Sequence, residues 1–124
     1  AAYASASAAY GGMTVYFLNA AAFVEADGFW VRGGQTAEIV IDPGGRPSVQ
    51  LLLRNGGAAN DVLTVAGSLR SHFSAAPSEE RLLTLPGGPG GLVSVSIGSR
   101  SGFRPSDAGG SADARFLGVW VQIQ

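Results

Sequence analysis

Hydrophobic residues alternate with polar ones in short segments along most of this chain. In residues 92–97, Val93, Val95 and Ile97 alternate with Ser94 and Ser96. A period of two is what a strand with one buried face and one exposed face produces. The same pattern predicts short strands at residues 13–19, 28–32, 35–41, 48–54, 61–66, 69–75, 81–85, 92–97 and 116–123.

Glycine and proline separate these segments. The chain has 19 Gly and 6 Pro, and clusters such as residues 42–45, Asp-Pro-Gly-Gly, predict turns because Pro presets one φ angle and Gly accepts a positive one. We find no convincing amphipathic helical spacing. Short strands about ten residues apart predict an all-β, antiparallel, Ig-like β-sandwich of about 7–9 strands. This domain is expected to cover residues 13–124.

Residues 1–12, AAYASASAAYGG, are a low-complexity segment that ends in two glycines. One interpretation is a disordered leader. The other is an extended arm that adds as a strand to a neighbouring subunit. The residues of this predicted assembly arm are Ala1, Tyr3, Ala4, Ala6, Ala8 and Tyr10.

Residues 1–24 carry no charge, but they are not a typical membrane span. Small alanines dominate this stretch, and Ser, Gly, Thr and Asn interrupt it. A spanning helix needs about 20 predominantly apolar residues, so we predict no transmembrane segment. An alanine-rich beginning often follows signal-peptide cleavage, and we therefore expect a secreted or cell-surface protein. All basic residues are Arg, as codon bias in a GC-rich genome produces.

Composition argues against several classes of function. Eight basic and nine acidic residues nearly cancel, so the basic footprint of a nucleic-acid-binding protein is missing. The absence of Cys excludes disulfides and thiolate metal sites. Nucleophilic catalysis by Ser or Thr needs a neighbouring base. The single His72 is predicted on an outward strand face, and there is no Lys. The sequence therefore predicts no enzyme and no cofactor.

The polar loop before the last strand allows two interpretations. Asp107 and Asp113, with nearby serines, could give part of a calcium shell. Alternatively, these carboxylates pair with Arg104 or Arg115 through charge-assisted hydrogen bonds that hold the loop together. We favour the second interpretation, in which Asp107, Asp113 and Arg115 organise the loop.

Aromatic and arginine residues occur together in two segments of the chain. Buried aromatics would fill the core, whereas exposed ones could stack on sugar rings or form an interface. Trp120 is the strongest candidate for such a role, because it is predicted to lie opposite the face formed by Leu117, Val119 and Val121. The candidate ligand or interface residues are Trp30, Arg32, Phe103, Arg104 and Trp120.

Two stretches carry a resemblance to a known family: GFWVRGGQTAEIVI at residues 28–41, and SGFRPSD with SADARFLGVWV in residues 101–121. They resemble the β-sandwich module at the C-terminal end of some bacterial membrane-embedded glycosyltransferases and related cell-envelope proteins. The matching pattern consists of Phe103, Pro105, Asp113, Arg115, Leu117 and Gly118. The likeness covers residues 13–124 and no catalytic portion. It implies a bacterial, extracytoplasmic, non-catalytic module in which Asp113 and Arg115 organise the final loop.

Two functions remain open from the sequence. The first is a secreted structural or interaction subunit that forms a homo-oligomer or filament through strand addition by its N-terminal arm. The alternative is a carbohydrate-binding or envelope-associated accessory module that binds a glycan near the last loop.

Overall fold

The computed structural model describes residues 6–87 and 89–124, which form eleven strands and two short 3-10 helices. The helices are Pro89–Gly91 and Pro105–Ala108. The strands are β1 Ala6–Tyr10, β2 Met13–Phe17, β3 Ala22–Val24, β4 Phe29–Arg32, β5 Thr36–Asp42, β6 Ser48–Asn55, β7 Asn60–Ala66, β8 Leu69–Ala75, β9 Glu80–Pro86, β10 Val93–Ser99 and β11 Leu117–Ile123.

The strands form two antiparallel sheets. The six-stranded sheet has the order β1-β2-β5-β10-β7-β8, and the five-stranded sheet has the order β3-β4-β11-β6-β9. The all-β antiparallel sandwich predicted from the sequence is therefore confirmed. No helix in residues 6–87 and 89–124 is long and apolar enough to cross a membrane.

The strand order refines the Ig-like description. From β4 to β11, each strand lies in the opposite sheet from the strand before it, except β8, which forms a hairpin with β7 in the same sheet. Four strands in the order β4-β11-β6-β9 therefore face four strands in the order β5-β10-β7-β8. This is the order of a jelly roll, the eight-stranded sandwich that contains two Greek keys. An Ig domain instead groups its strands as ABED and CFG. Here β3 and the β1–β2 hairpin extend the jelly roll at its edges.

The core lies between the inner faces of the two sheets. The predicted phase of β10 is confirmed, because Val93, Val95 and Ile97 are buried. The rings of Phe17 and Phe29 join the sheets edge to face, with centroids 5.0 Å apart. The largest fully buried side chains are Phe17, Phe29, Phe73, Met13, Ile39, Ile41, Leu51, Leu53, Leu85, Ile97, Val15 and Val31.

The second half of the predicted arm is a strand of the chain's own six-stranded sheet. β1 pairs with β2 from Ala6 opposite Phe17 to Tyr10 opposite Met13. Gly11 and Gly12 form the two-residue turn with φ angles of 58° and 81°, which a hairpin of this length requires. The boundary expected after residue 12 thus falls at the end of this turn. Ala1, Tyr3 and Ala4 lie outside the described residues.

Residues 20–27 lie between the predicted strands of residues 13–19 and 28–32, and they contain the short strand β3. Ala22, Phe23 and Val24 pair with Val31, Trp30 and Phe29 of β4. Three residues are too few for alternation to be recognised in a sequence. This correction adds an edge strand to the five-stranded sheet.

Candidate functional sites

The two sheets have four edge strands in the described part of the chain: β1, β8, β3 and β9. Natural proteins protect such edges with charges, proline or very short strands. β8 carries Arg70 and His72, β9 carries Glu80, Arg81 and Pro86, and β3 has three residues. β1 alone among these four edges has five residues without a charge or a proline.

The β1–β2 hairpin determines which backbone groups of β1 face outward. In a two-residue hairpin the residues that flank the turn exchange both hydrogen bonds, and the pattern then alternates along the strand. Tyr10, Ala8 and Ala6 are therefore bonded to β2. The N–H and C=O groups of Ser7 and Ala9 point away from the sheet, and both residues are exposed. The free edge thus offers two donors and two acceptors.

Tyr10 fixes β1 to the opposite sheet. Its ring is buried, and its hydroxyl donates to the carbonyl oxygens of Gly28 at 2.9 Å and Glu25 at 3.0 Å. Burial, followed by the nearby Glu25 charge, raises the pKa of Tyr10 to about 12. At the other side of the turn, Arg46 Nη2 donates to the carbonyl oxygen of Gly11 at 2.8 Å. β1 is therefore a fixed strand of the domain.

The aromatic residues that were predicted to bind a ligand or form an interface lie together on the outer face of the five-stranded sheet. They are Trp30, Phe103 and Trp120. The Trp30 ring lies 5.4 Å from that of Trp120 and 5.7 Å from that of Phe103, measured between centroids. Trp120 lies on the outer face, as its phase predicts, but it is only 7% exposed. Its Nε1 donates to Gln122 Oε1 at 3.1 Å. Trp120 is thus part of a packed cluster and does not present an open stacking surface.

Phe103 completes this aromatic cluster from the polar loop. Its backbone N–H and C=O exchange hydrogen bonds of 2.8 Å with Leu117. Its ring lies directly against Gly56, where an added Cβ would overlap the ring atoms. In the sequence, Gly56 lies between the predicted strands of residues 48–54 and 61–66. Its contact with the Phe103 ring joins two segments that are far apart in the sequence.

The arginines predicted to bind a ligand or organise the loop, Arg32, Arg104 and Arg115, lie over aromatic rings. Arg32 and Arg115 both approach the ring of Phe23, at 4.2 Å and 5.0 Å from its centroid. Arg104 lies 4.8 Å from the ring centroid of Phe116. These are cation–π distances, and such contacts stabilise the loop against the sheet. Sequence analysis did not identify Phe23, because it lies in the three-residue strand β3.

Asp113 and Arg115 form the closest ion pair of the polar loop. Arg115 Nη2 is 2.8 Å from Asp113 Oδ2 and 3.0 Å from Glu25 Oε2. Hydrogen bonds from Arg115 hold the pKa of Asp113 below its usual value, and those to Asp113 raise the pKa of Arg115. Asp107 lies in Pro105–Ala108, and its backbone N–H donates to Arg104. Residues 6–87 and 89–124 contain no group of three His, Asp or Glu side chains placed to hold a metal.

A groove of about 640 Å³ crosses the outer face of the six-stranded sheet. It runs over β5, β10, β7 and β8, and His72 and Arg70 form one side. Asp61 lies between His72 and Arg100: its Oδ1 is 3.2 Å from His72 Nε2, and its Oδ2 is 3.8 Å from Arg100 Nη1. The outward direction of His72 and Arg70 was predicted from the alternation of β8. The groove itself depends on the order of four strands, which the sequence does not reveal.

Comparison with known proteins adds no relative of this chain. No family model, no curated protein and no solved structure matches it. The features of the described residues that bear on function are therefore the uncharged edge of β1, the packed aromatic cluster and the polar groove.

Proposed function

We propose that this protein is a non-catalytic structural subunit that associates with a second copy of itself through β1. The observation that carries the proposal is the unprotected edge, five residues long and free of charge and proline. The expected secreted or cell-surface location remains part of this proposal.

Strand addition suits the chemistry of this edge. A strand that adds to a sheet is held by main-chain hydrogen bonds and makes few demands on side chains. Ser7 and Ala9 supply the outward N–H and C=O groups, and their side chains are small enough for another backbone to approach closely. The anchoring of Tyr10 and Gly11 holds these groups in position before binding. Less conformational entropy is then lost on association.

The most suitable partner strand is β1 of a second copy. Pairing with β8 or β9 would place a second chain beside the charged side chains of those edges. Two β1 strands can pair antiparallel about a two-fold axis, which joins two six-stranded sheets into one continuous sheet. Because each copy uses the same edge, this contact closes at a dimer. A filament would need a second adhesive edge.

The test is the solution mass of the chain of residues 1–124, measured by light scattering over a wide range of concentrations. We expect the wild type to reach about twice the monomer mass of 12.6 kDa. Ala9→Pro removes one outward N–H without removing a hydrogen bond to β2, and it should give monomers. Thr14→Lys is the matched control, because Thr14 lies opposite Ala9 on the non-edge strand β2.

Two results would contradict the proposal. One is a wild-type chain that stays monomeric at all concentrations. The other is an Ala9→Pro variant that remains folded by circular dichroism and keeps the wild-type mass. Amide hydrogen exchange adds a local readout, because association should slow exchange at Ser7 and Ala9 together.

Glycan binding near the last loop, the alternative from the sequence, has less support at its predicted place. Trp120 is 7% exposed and packs against Trp30. An aromatic platform for a sugar ring needs an open face. Replacing Trp30 with Ala while testing retention by immobilised polysaccharides would decide this alternative.

A further inference from the structure

We infer that the groove on the outer face of the six-stranded sheet binds an acidic saccharide. The groove holds about 640 Å³, within the range of about 300–1,000 Å³ that is usual for small-ligand sites. This site lies on a sheet face, away from the edge of β1, and it does not depend on self-association.

Small residues form the floor of the groove. Ser96 and Gly98 of β10 and Thr36 of β5 line it side by side, because Gly98 pairs with Thr36 across the two strands. A Cβ at position 98 would stand 3.0 Å from Thr36 Oγ1. The missing side chain therefore leaves space at the centre of an otherwise continuous sheet face.

The charges around the groove favour an anion. Arg70 and Arg100 both line it, and Asp61 is its carboxylate. Arg100 is 81% exposed and 3.8 Å from Asp61, while Arg70 forms no ion pair within residues 6–87 and 89–124. One guanidinium is thus in excess. A guanidinium binds a carboxylate through two parallel hydrogen bonds, which provides both strength and orientation.

The remaining lining is suited to a sugar. The hydroxyls of Thr36 and Ser96 and the amide of Gln35 can donate and accept hydrogen bonds. Leu63 is 37% exposed among these polar groups, and it offers an apolar contact for the C–H face of a sugar ring. A long polyanion such as a nucleic acid fits less well, because the whole chain has a net charge of −1.

Calorimetric titration of the chain of residues 1–124 with trigalacturonate tests the inference. Its methyl ester keeps the sugar without the charge, and acetate keeps the carboxylate without the sugar. We expect trigalacturonate to bind and both other probes to bind at least about tenfold more weakly. Arg70→Gln and Arg100→Gln should each weaken trigalacturonate binding by about tenfold.

Arg54→Gln is the matched control, because it removes the same charge from β6 of the five-stranded sheet, away from the groove. Binding should be unchanged in this variant. Absence of trigalacturonate binding would overturn the inference. So would equal binding of acetate or the ester, or a loss in Arg54→Gln without one in Arg70→Gln. Circular dichroism of each variant would show that it is folded.

Discussion

The Tyr10 hydroxyl donates a hydrogen bond to the carbonyl oxygen of Gly28 over a distance of 2.9 Å. Tyr10 ends β1 in the six-stranded sheet, and Gly28 precedes β4 in the five-stranded sheet. Gly28 has no room for a side chain, because a Cβ would overlap the backbone of Val121. This bond therefore ties the edge strand proposed for assembly to the opposite sheet.

We predict that the protein loses stability as the pH rises from about 10 to about 12. The pKa of Tyr10 is raised to about 12 in the folded chain, whereas an unfolded tyrosine titrates near 10. The unfolded state therefore releases its proton first, and the stabilisation present below pH 10 is lost across this interval. We expect a decrease of about 1–2 kcal/mol in the free energy of unfolding, measured by urea denaturation.

Tyr10→Phe is the informative comparison for this pH dependence. The chain has no Lys and three Tyr, so few other groups titrate in this interval. The variant should be less stable at neutral pH by about 1 kcal/mol, because it lacks the hydroxyl hydrogen bonds. Its stability should then decrease less above pH 10. A variant whose alkaline decrease matches that of the wild type would contradict the assignment to Tyr10.

Gly56→Ala should displace the ring of Phe103. The added methyl group occupies the position of the ring atoms, and overpacking of this kind typically costs about 1–3 kcal/mol. Gly57→Ala is the matched control, since its Cβ would meet Phe103 only at 3.9 Å. Denaturant unfolding gives the stability change. Tryptophan fluorescence should also shift, because Trp30 packs against Phe103. Equal stability of the two variants would argue against this contact.

Asn55→Ala should be strongly destabilising. Asn55 is 3% exposed, and its Nδ2 donates to the carbonyl oxygens of Ala58 at 2.7 Å and Ala76 at 2.9 Å. Asn55 Nδ2 also reaches the buried carbonyl oxygen of Ala75 at 3.4 Å, and leaving such a buried group unpaired costs about 1–3 kcal/mol. Asn19→Ala is the comparison, because the hydrogen bonds of half-buried Asn19 with Thr36 and Glu38 are exposed, and water can replace them. Thermal unfolding should rank the two variants in this order, and the reverse order would refute the explanation.

The ion pair of Asp113 and Arg115 should persist to unusually low pH. Hydrogen bonds from Arg115 lower the pKa of Asp113, so its contribution to loop stability is complete above the unfolded value of about 3.9. That contribution is lost as the pH falls through the lower folded value. The NMR shift of the Arg115 Nε–H, which donates to Asp113 Oδ1 at 3.0 Å, should report this change.

Asp113→Asn should remove most of that acid dependence at Arg115. Asp107→Asn is its control, because the Asp107 carboxylate forms no ion pair within the described ranges 6–87 and 89–124. If Asp107→Asn changed the Arg115 titration as much as Asp113→Asn did, the loop would be organised differently.

The sandwich could be predicted from the sequence because its inner faces follow a simple period. Large β-branched residues at alternate positions predict β10, namely Val93, Val95 and Ile97. β1 lacks this signal, since alanine and serine give no contrast between its two faces. Only pairing with β2 identifies it as a strand of the same domain.

The candidate sites were less accessible to sequence analysis because they depend on distant neighbours. Alternation predicts that the Trp120 side chain lies on the outer face of the sheet. It does not predict that the Trp30 ring, on another strand, packs against it. Asp113 and Arg115 are only two positions apart in the sequence, and so their ion pair could be predicted. The groove around Gly98 requires β5, β10, β7 and β8 to lie side by side.

The place of β11 in the five-stranded sheet has a consequence for biosynthesis. β11 pairs with β4 on one side and β6 on the other, and Leu117 meets Arg32. The ribosome makes β11 after both of these strands, so each of them has an open edge until translation reaches residue 117. Such edges expose a nascent chain to aggregation. The domain therefore completes its fold only after residue 117 has been made, and a chain that stalls before β11 keeps both of these edges open.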